Sequence, residues 1–325
     1  MIVALVAYMI FALSPLYAQT AGKEAVSQFD LIPDQYLTAA RAKRVLFMNR
    51  SVGVNLDNAI NCFTAQSYGK AQNVCRREMV QIGGVWQYIQ HSDADWSTLD
   101  PYIKFTPSPT IYNRSNWSYF IFADTWETMV QDFIEGLHNG GIPAQTKTGS
   151  PVTVIVDNYD ILSFQFSYLN VEVGSTISQF FTVRPGQFDD AWDLEREIDD
   201  HLTPRGAKFI YWTSSLARSI GTAEAEQFNN SVRFWAALHN RPLFDFAGVG
   251  QHNPDGSSCY DNRDGVAFSF GAQQENYPDD GLNISAVCPN KTPEANGGHL
   301  VTAHGTVSVA KAFWVMIAKL AGWNP

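Results

Sequence analysis

The stretch Arg44-Val45-Leu46-Phe47-Met48-Asn49-Arg50-Ser51-Val52-Gly53-Val54-Asn55 decides how this chain is read. A short apolar run bounded by polar residues has the length of a buried strand, here 45–48. Ser51-Val52-Gly53 then lets the backbone turn sharply. From Asn55 to Phe63 the spacing becomes helical, with Leu56, Ile60 and Phe63 on one face. Its counterpart at the other end is Asn296-Gly297-Gly298-His299-Leu300, a glycine-loosened loop before a helix over 306–321 whose apolar side carries Val309, Ala312, Phe313, Met316, Ile317 and Leu320. A serine after the first strand and a histidine before the last helix can meet at one edge of an α/β sheet, as a nucleophile and its base.

The intervening chain alternates in the same way. Asp124-Thr125 caps a helix with Trp126, Met129, Val130, Phe133, Ile134 and Leu137 on one stripe, closed by Gly140-Gly141. Strand chemistry follows at 152–156 and 161–171, an acidic helix at 189–201, a strand at 208–213, a helix at 222–240 and a short strand at 243–246. In the helix over 222–240, Phe228, Val232, Trp235, Ala236 and His239 are expected to face inward. Strands alternating with helices predict an α/β protein whose mostly parallel sheet is covered on both faces. Sites in such sheets lie at the carboxyl ends of strands, where Ser51 and Asn170 both fall. Residues 62–118 are poorly periodic loop chemistry carrying Trp86, Trp96 and Trp117, the kind of insertion that builds clefts. Neither an internal repeat nor a low-complexity linker divides the chain, so 30–325 is expected to be one domain with that insertion.

The 325 residues, 45% apolar and 13% aromatic, suffice for a packed core. A net charge of −10, with no basic cluster beyond Arg41, Lys43 and Arg44, argues against a nucleic-acid partner. Residues 1–18 form an apolar leader with small residues at its end, expected to be a secretory signal peptide that leaves no membrane association once cut. The destination is then secreted or periplasmic. Four cysteines fit that compartment. Of three pairings, the sequence-local one, Cys62 with Cys75 and Cys259 with Cys288, is preferred, since each would close a surface loop.

Ser51 needs a base and hydrogen-bond donors for an oxyanion. His299 supplies the first; the Ser51 N–H and the Asn170 amide supply the second. Together these residues resemble the SGNH-type (GDSL-like) hydrolases, in a branch where the usual Gly-Asp-Ser block reads Ser51-Val52-Gly53. The last block is similar to Gly297-Gly298-His299-Leu300, followed by a helix ending in Ala321-Gly322-Trp323. Phe166-Ser167-Tyr168-Leu169-Asn170 resembles the third block, and Leu243-Phe244-Asp245-Phe246-Ala247 adds a further echo. The resemblance implies a three-layer α/β/α sandwich with a flavodoxin-like sheet. It also implies a carboxylic-ester hydrolase without a cofactor, acting on a small-molecule or carbohydrate ester. Ser51 would be the nucleophile and His299 the base, with Ser51, Asn170 and a second-block glycine, assigned to Gly84, forming the oxyanion hole. Two positions depart from the pattern: Arg50 stands where an aspartate is usual, and Asn296 where an acid would orient His299. An asparagine accepts the ring N–H but supplies no charge, so Glu294, Asp279 or Asp280 are candidate substitutes. The alternative reading is a non-catalytic glycan-binding protein that keeps the fold.

Other chemistry reads more blandly. His304, just before the last helix, is expected to be a loop or capping residue, and His239 a core residue. The acidic run from Asp189 to Asp200 with His201 reads as a solvated face, and no metal site is expected. Asp255-Gly256 and Asp279-Asp280-Gly281 could hold calcium through oxygen ligands, but turns explain them just as well. Neither a Gly-x-Ser-x-Gly elbow nor a phosphate loop occurs.

Overall fold

The fold is that of a computed structural model, in which residues 19–123, 125–171, 194–219, 222–261, 284–294 and 297–325 are described. The leader, and with it the signal-peptide expectation, lies outside them. Its first half runs β1 (Thr20–Ala21), α1 (Lys23–Gln28), α2 (Asp34–Ala42), β2 (Val45–Asn49), α3 (Ser51–Cys62), α4 (Asn73–Arg76), β3 (Arg77–Ile82), β4 (Val85–Gln90), β5 (Trp117–Ile121) and α5 (Trp126–Asn139). The second half runs β6 (Gly141–Gln145), β7 (Pro151–Ile155), β8 (Ile161–Phe164), α6 (Leu194–His201), β9 (Lys208–Phe209), β10 (Tyr211–Trp212), α7 (Thr222–Leu238), β11 (Leu243–Phe244), α8 (Phe246–Gln251) and α9 (Ala303–Leu320).

Strand β2 pairs in parallel with β5 on one side and β8 on the other, and β8 pairs in parallel with β9. Ile210 carries the sheet onward, its N–H donating to the Leu162 carbonyl at 3.0 Å, into the parallel strands β10, β11 and β1. The order β5-β2-β8-β9/β10-β11 is the flavodoxin-like doubly wound order, and its switch point lies between β2 and β8. Antiparallel β6 and β7 extend the β5 edge. The strand β6 was not expected from the sequence, because Pro143 and the helix-ending glycines mask it.

The three layers follow from alternation along β2. Val45 and Phe47 point into a core shared with α1, α2, α3 and α9, whereas Leu46 and Met48 point into a second core with Met129, Phe133, Phe164 and Val232. Burial on both faces is why β2 is a continuous apolar run rather than an alternating one. The last helix begins at Ala303, three residues before the expected start, because Thr302 caps it through its hydroxyl, which accepts from Gly305 N–H at 3.2 Å. Its expected polar side is buried as well. The 62–118 segment covers it, setting Tyr112 and Trp117 against Trp314 with ring centroids 5.3 and 4.3 Å apart. Lys311, 1% exposed, escapes isolation by donating to the Pro101 carbonyl at 3.0 Å.

Both expected disulfides are present, Cys62–Cys75 and Cys259–Cys288, with Cα atoms 5.8 and 5.2 Å apart. Among the described residues no helix is long and apolar enough to cross a membrane.

Gly53 sits where α3 leaves the sheet, and a Cβ there would lie 2.6 Å from Asn49 Cβ and 2.7 Å from Tyr119 Cε2. Gly53→Ala is expected to destabilise the protein by about 1–3 kcal/mol, the range for forced overpacking, as a lower midpoint in urea unfolding.

Candidate active site

Asn49, 2% exposed, ends β2 and sets the turn. Its amide donates to the Gln165 carbonyl at 2.8 Å and to Gln165 Oε1 at 3.0 Å, while its Oδ1 accepts from Gly53 N–H at 3.2 Å. One of the orphan donors of the α3 N-terminus is thereby satisfied. The Tyr119 hydroxyl lies 2.9 Å from the Asn49 carbonyl and 2.7 Å from that of Arg50. Ser51 is consequently the first residue of α3, exposed at the switch point, with its own N–H in the first helical turn where no intrahelical acceptor exists. The helix dipole favours developing negative charge there. The helix starts at Ser51, four residues before the expected Asn55.

His299 is oriented by Glu294. Its Nδ1 lies 2.6 Å from Glu294 Oε1, and its backbone N–H donates to Glu294 Oε2 at 3.0 Å. Burial works against the Glu294 charge, yet these bonds from His299, with one from Gly298 N–H, hold its carboxyl below the usual value. An ionised carboxylate at Nδ1 places the ring proton there and leaves Nε2 as the basic lone pair. The acid thus sits five residues before the histidine; Asn296, Asp279 and Asp280 lie outside the described residues. The loop is anchored from below as well. Asn55 Oδ1 accepts from Leu300 N–H at 3.1 Å, tying the residue after His299 to the helix position one turn on from Ser51. Residues four apart share a helix face, so Asn55 brings His299 to the side of α3 that carries Ser51. A Cβ on Gly298 would fall 1.9 Å from the Leu216 carbonyl, which is why the loop needs glycine there. Among the described residues no hydrogen bond joins Ser51 to His299.

Asn170 lies in the loop after β8. Its Oδ1 accepts from Ser167 N–H at 2.8 Å and Ser167 Oγ at 2.9 Å, which assigns the opposite end of the amide as the donor. Gly84 has a different place. With Gly83 it forms the tip of the β3–β4 hairpin at φ of +60° and +82°, on an exposed turn. The structure gives this glycine a turn to make. The hairpin itself was missed, although Gly-Gly between Arg77–Ile82 and Val85–Gln90 is a two-residue hairpin signature.

Two histidines differ from expectation. His304, 4% exposed, lies in the first turn of α9 with Nε2 3.2 Å from Glu78, which also meets His91 at 2.8 Å, so it is a buried pair rather than a loop residue. His239 has a 40% exposed side chain and stacks on Trp235 instead of entering the core.

Beside the turn, Arg50, Phe122, Thr128, Asp132 and Pro143 line an open cleft of about 480 Å³. Burial, with Glu135 adding to it, pushes the Asp132 carboxyl up from 3.8 to about 6. The native state therefore holds a proton that the unfolded chain has already lost, and stability falls as pH rises through that window. Asp132→Asn is expected to remove this dependence: thermal melts of wild type and variant should differ most at neutral pH, with wild type the less stable, and converge towards pH of about 4.

Comparison of the chain with protein-family models, curated proteins and solved structures gave no match.

Proposed function

We propose that this protein is a serine esterase of the SGNH type, secreted through its leader into an oxidising compartment, and that it removes an acyl or acetyl group from an ester, in a carbohydrate or related glycoconjugate. The observation that carries the reading is the Glu294–His299 pair, fastened through Leu300 and Asn55 to the helix that begins at Ser51. A charged carboxylate on Nδ1, a basic Nε2 and a serine at a helix N-terminus are the three parts that nucleophilic acyl transfer requires. Ser51 Oγ attacks the carbonyl carbon while its proton passes to His299 Nε2. The oxyanion is met by Ser51 N–H and the Asn170 amide. His299 then returns the proton to the departing alcohol, and water repeats the sequence on the acyl-serine. Two disulfides accord with the compartment.

A second reading, a glycan-binding protein without catalysis, is favoured by one observation. The β4 strand exposes Trp86 at 40% and Tyr88 at 46%, side chains suited to stacking on sugar rings.

The test is hydrolysis of p-nitrophenyl acetate and butyrate by the leaderless protein. Ser51→Ala and His299→Ala should each abolish turnover above background, and Glu294→Gln should lower kcat by about 10²–10⁴-fold. Activity that survives Ser51→Ala, or is absent from wild type, removes the esterase reading for these esters and favours the second.

A further inference from the structure

On the face of the sheet opposite α9, three side chains converge. His138 is the penultimate residue of α5; Glu197 and His201 are one turn apart on α6. His138 Nε2 lies 2.6 Å and His201 Nε2 3.2 Å from the same oxygen, Glu197 Oε2. The two rings meet edge to face with centroids 4.6 Å apart. One donor atom from each residue lies within 4.8 Å of the other two. The acidic run here was expected to be a solvated face, and for Glu197 that is corrected: its side chain is 5% exposed, because position 197 turns towards α5 with Leu194 and Ile198.

We propose that His138, Glu197 and His201 bind one divalent transition-metal ion of the zinc class. A buried carboxylate needs compensation, and two neutral imidazoles supply at most two N–H donors to it. A metal ion held by all three side chains supplies that compensation directly. With ligand bonds of about 2.0–2.2 Å, tetrahedral donors stand about 3.3 Å apart. Glu197 and His201 are already at that separation, and His138, with 39% of its side chain exposed, has room to move outward. Two imidazole nitrogens and one carboxylate oxygen select zinc, cobalt or nickel over calcium and magnesium, which take oxygen ligands. Arg196 Nη2, 3.4 Å from Glu197 Oε1, sits on the other carboxylate oxygen and leaves Oε2 to the metal. The fourth position is open to water.

The placement assigns a structural part rather than a catalytic one. Helix α5 starts at the strand ends that carry Ser51 and runs back across the sheet, so His138, near its far end, lies at the opposite edge. A metal there would clamp the carboxyl ends of α5 and α6 together. This inference is independent of the esterase reading, and its readout is metal rather than turnover.

The experiment strips the full protein with a chelator, adds zinc or cobalt(II), desalts, and measures bound metal by mass spectrometry and cobalt by visible absorption. One retained equivalent is expected, with the intense absorption of a low-coordinate cobalt site and a melting temperature raised by zinc. His138→Ala and His201→Ala should each weaken metal binding at least about tenfold, the scale of a lost ligand or its support. Circular dichroism checks that each variant folds, and His138→Gln, altered at the exposed ligand, serves if His201→Ala does not. Wild type retaining no more metal than these variants, or a cobalt spectrum that persists in them, overturns the proposal.

Discussion

The hydrogen bonds of one buried amide govern the geometry of the sheet edge that carries Ser51. Asn49 spends its N–H groups on Gln165 across the switch point and its oxygen on Gly53 at the start of α3. Gln165 in turn donates to the Thr213 carbonyl at 3.2 Å, and the Thr213 hydroxyl donates to Asp245 at 3.1 Å, where Arg233 completes an ion pair. A polar rail thus ties together the carboxyl ends of β2, β8, β10 and β11, where a parallel sheet otherwise ends in unpaired backbone. Each buried member left without its partner would cost about 1–3 kcal/mol, so the rail holds as a unit or not at all. Ser51 inherits its position from the first link in that chain, and Tyr119 seals the turn from the β5 side.

Much of this architecture was legible because burial writes itself into hydrophobic period. β2 and α9 declare themselves as apolar runs, and Thr125 and Gly140 mark both ends of α5, with Thr128 N–H donating to the Thr125 hydroxyl at 3.2 Å and Gly140 at φ +74°. What resisted reading is what tertiary context decides. Helix α9 looks amphipathic, but its expected polar side is covered by a segment whose own pattern is irregular. β6 contains a proline and opens on Gly141, directly after Gly140. In the β3–β4 hairpin, β4 is exposed along its whole length and so has no buried face to mark in the sequence.

The candidate site was half legible. Ser51, His299 and Asn170 fall at strand and helix ends, where topology concentrates function, and local sequence marks all three. The acid was harder. The family resemblance pointed to position 296, where Asn296 stands, and left Glu294, Asp279 and Asp280 as substitutes; it is Glu294 that reaches the ring, accepting from His299 at both Nδ1 and the backbone. A carboxylate carries the charge that an asparagine lacks, and Arg50 lines the neighbouring cleft. His138 illustrates the opposite case: it lies about sixty residues from Glu197 and His201 in sequence, and only the packing of α5 against α6 joins them.

The central claim is that Ser51 is an activated nucleophile whose base is His299 held by Glu294. Treating the protein with an alkyl fluorophosphonate, followed by intact-mass and peptide mass spectrometry, tests it without knowledge of the natural ester. The account predicts a single adduct on the peptide containing Ser51, formed quickly in wild type, slowed in Glu294→Gln and absent in His299→Ala. Labelling at another residue, or no labelling while the fold is intact, would contradict it.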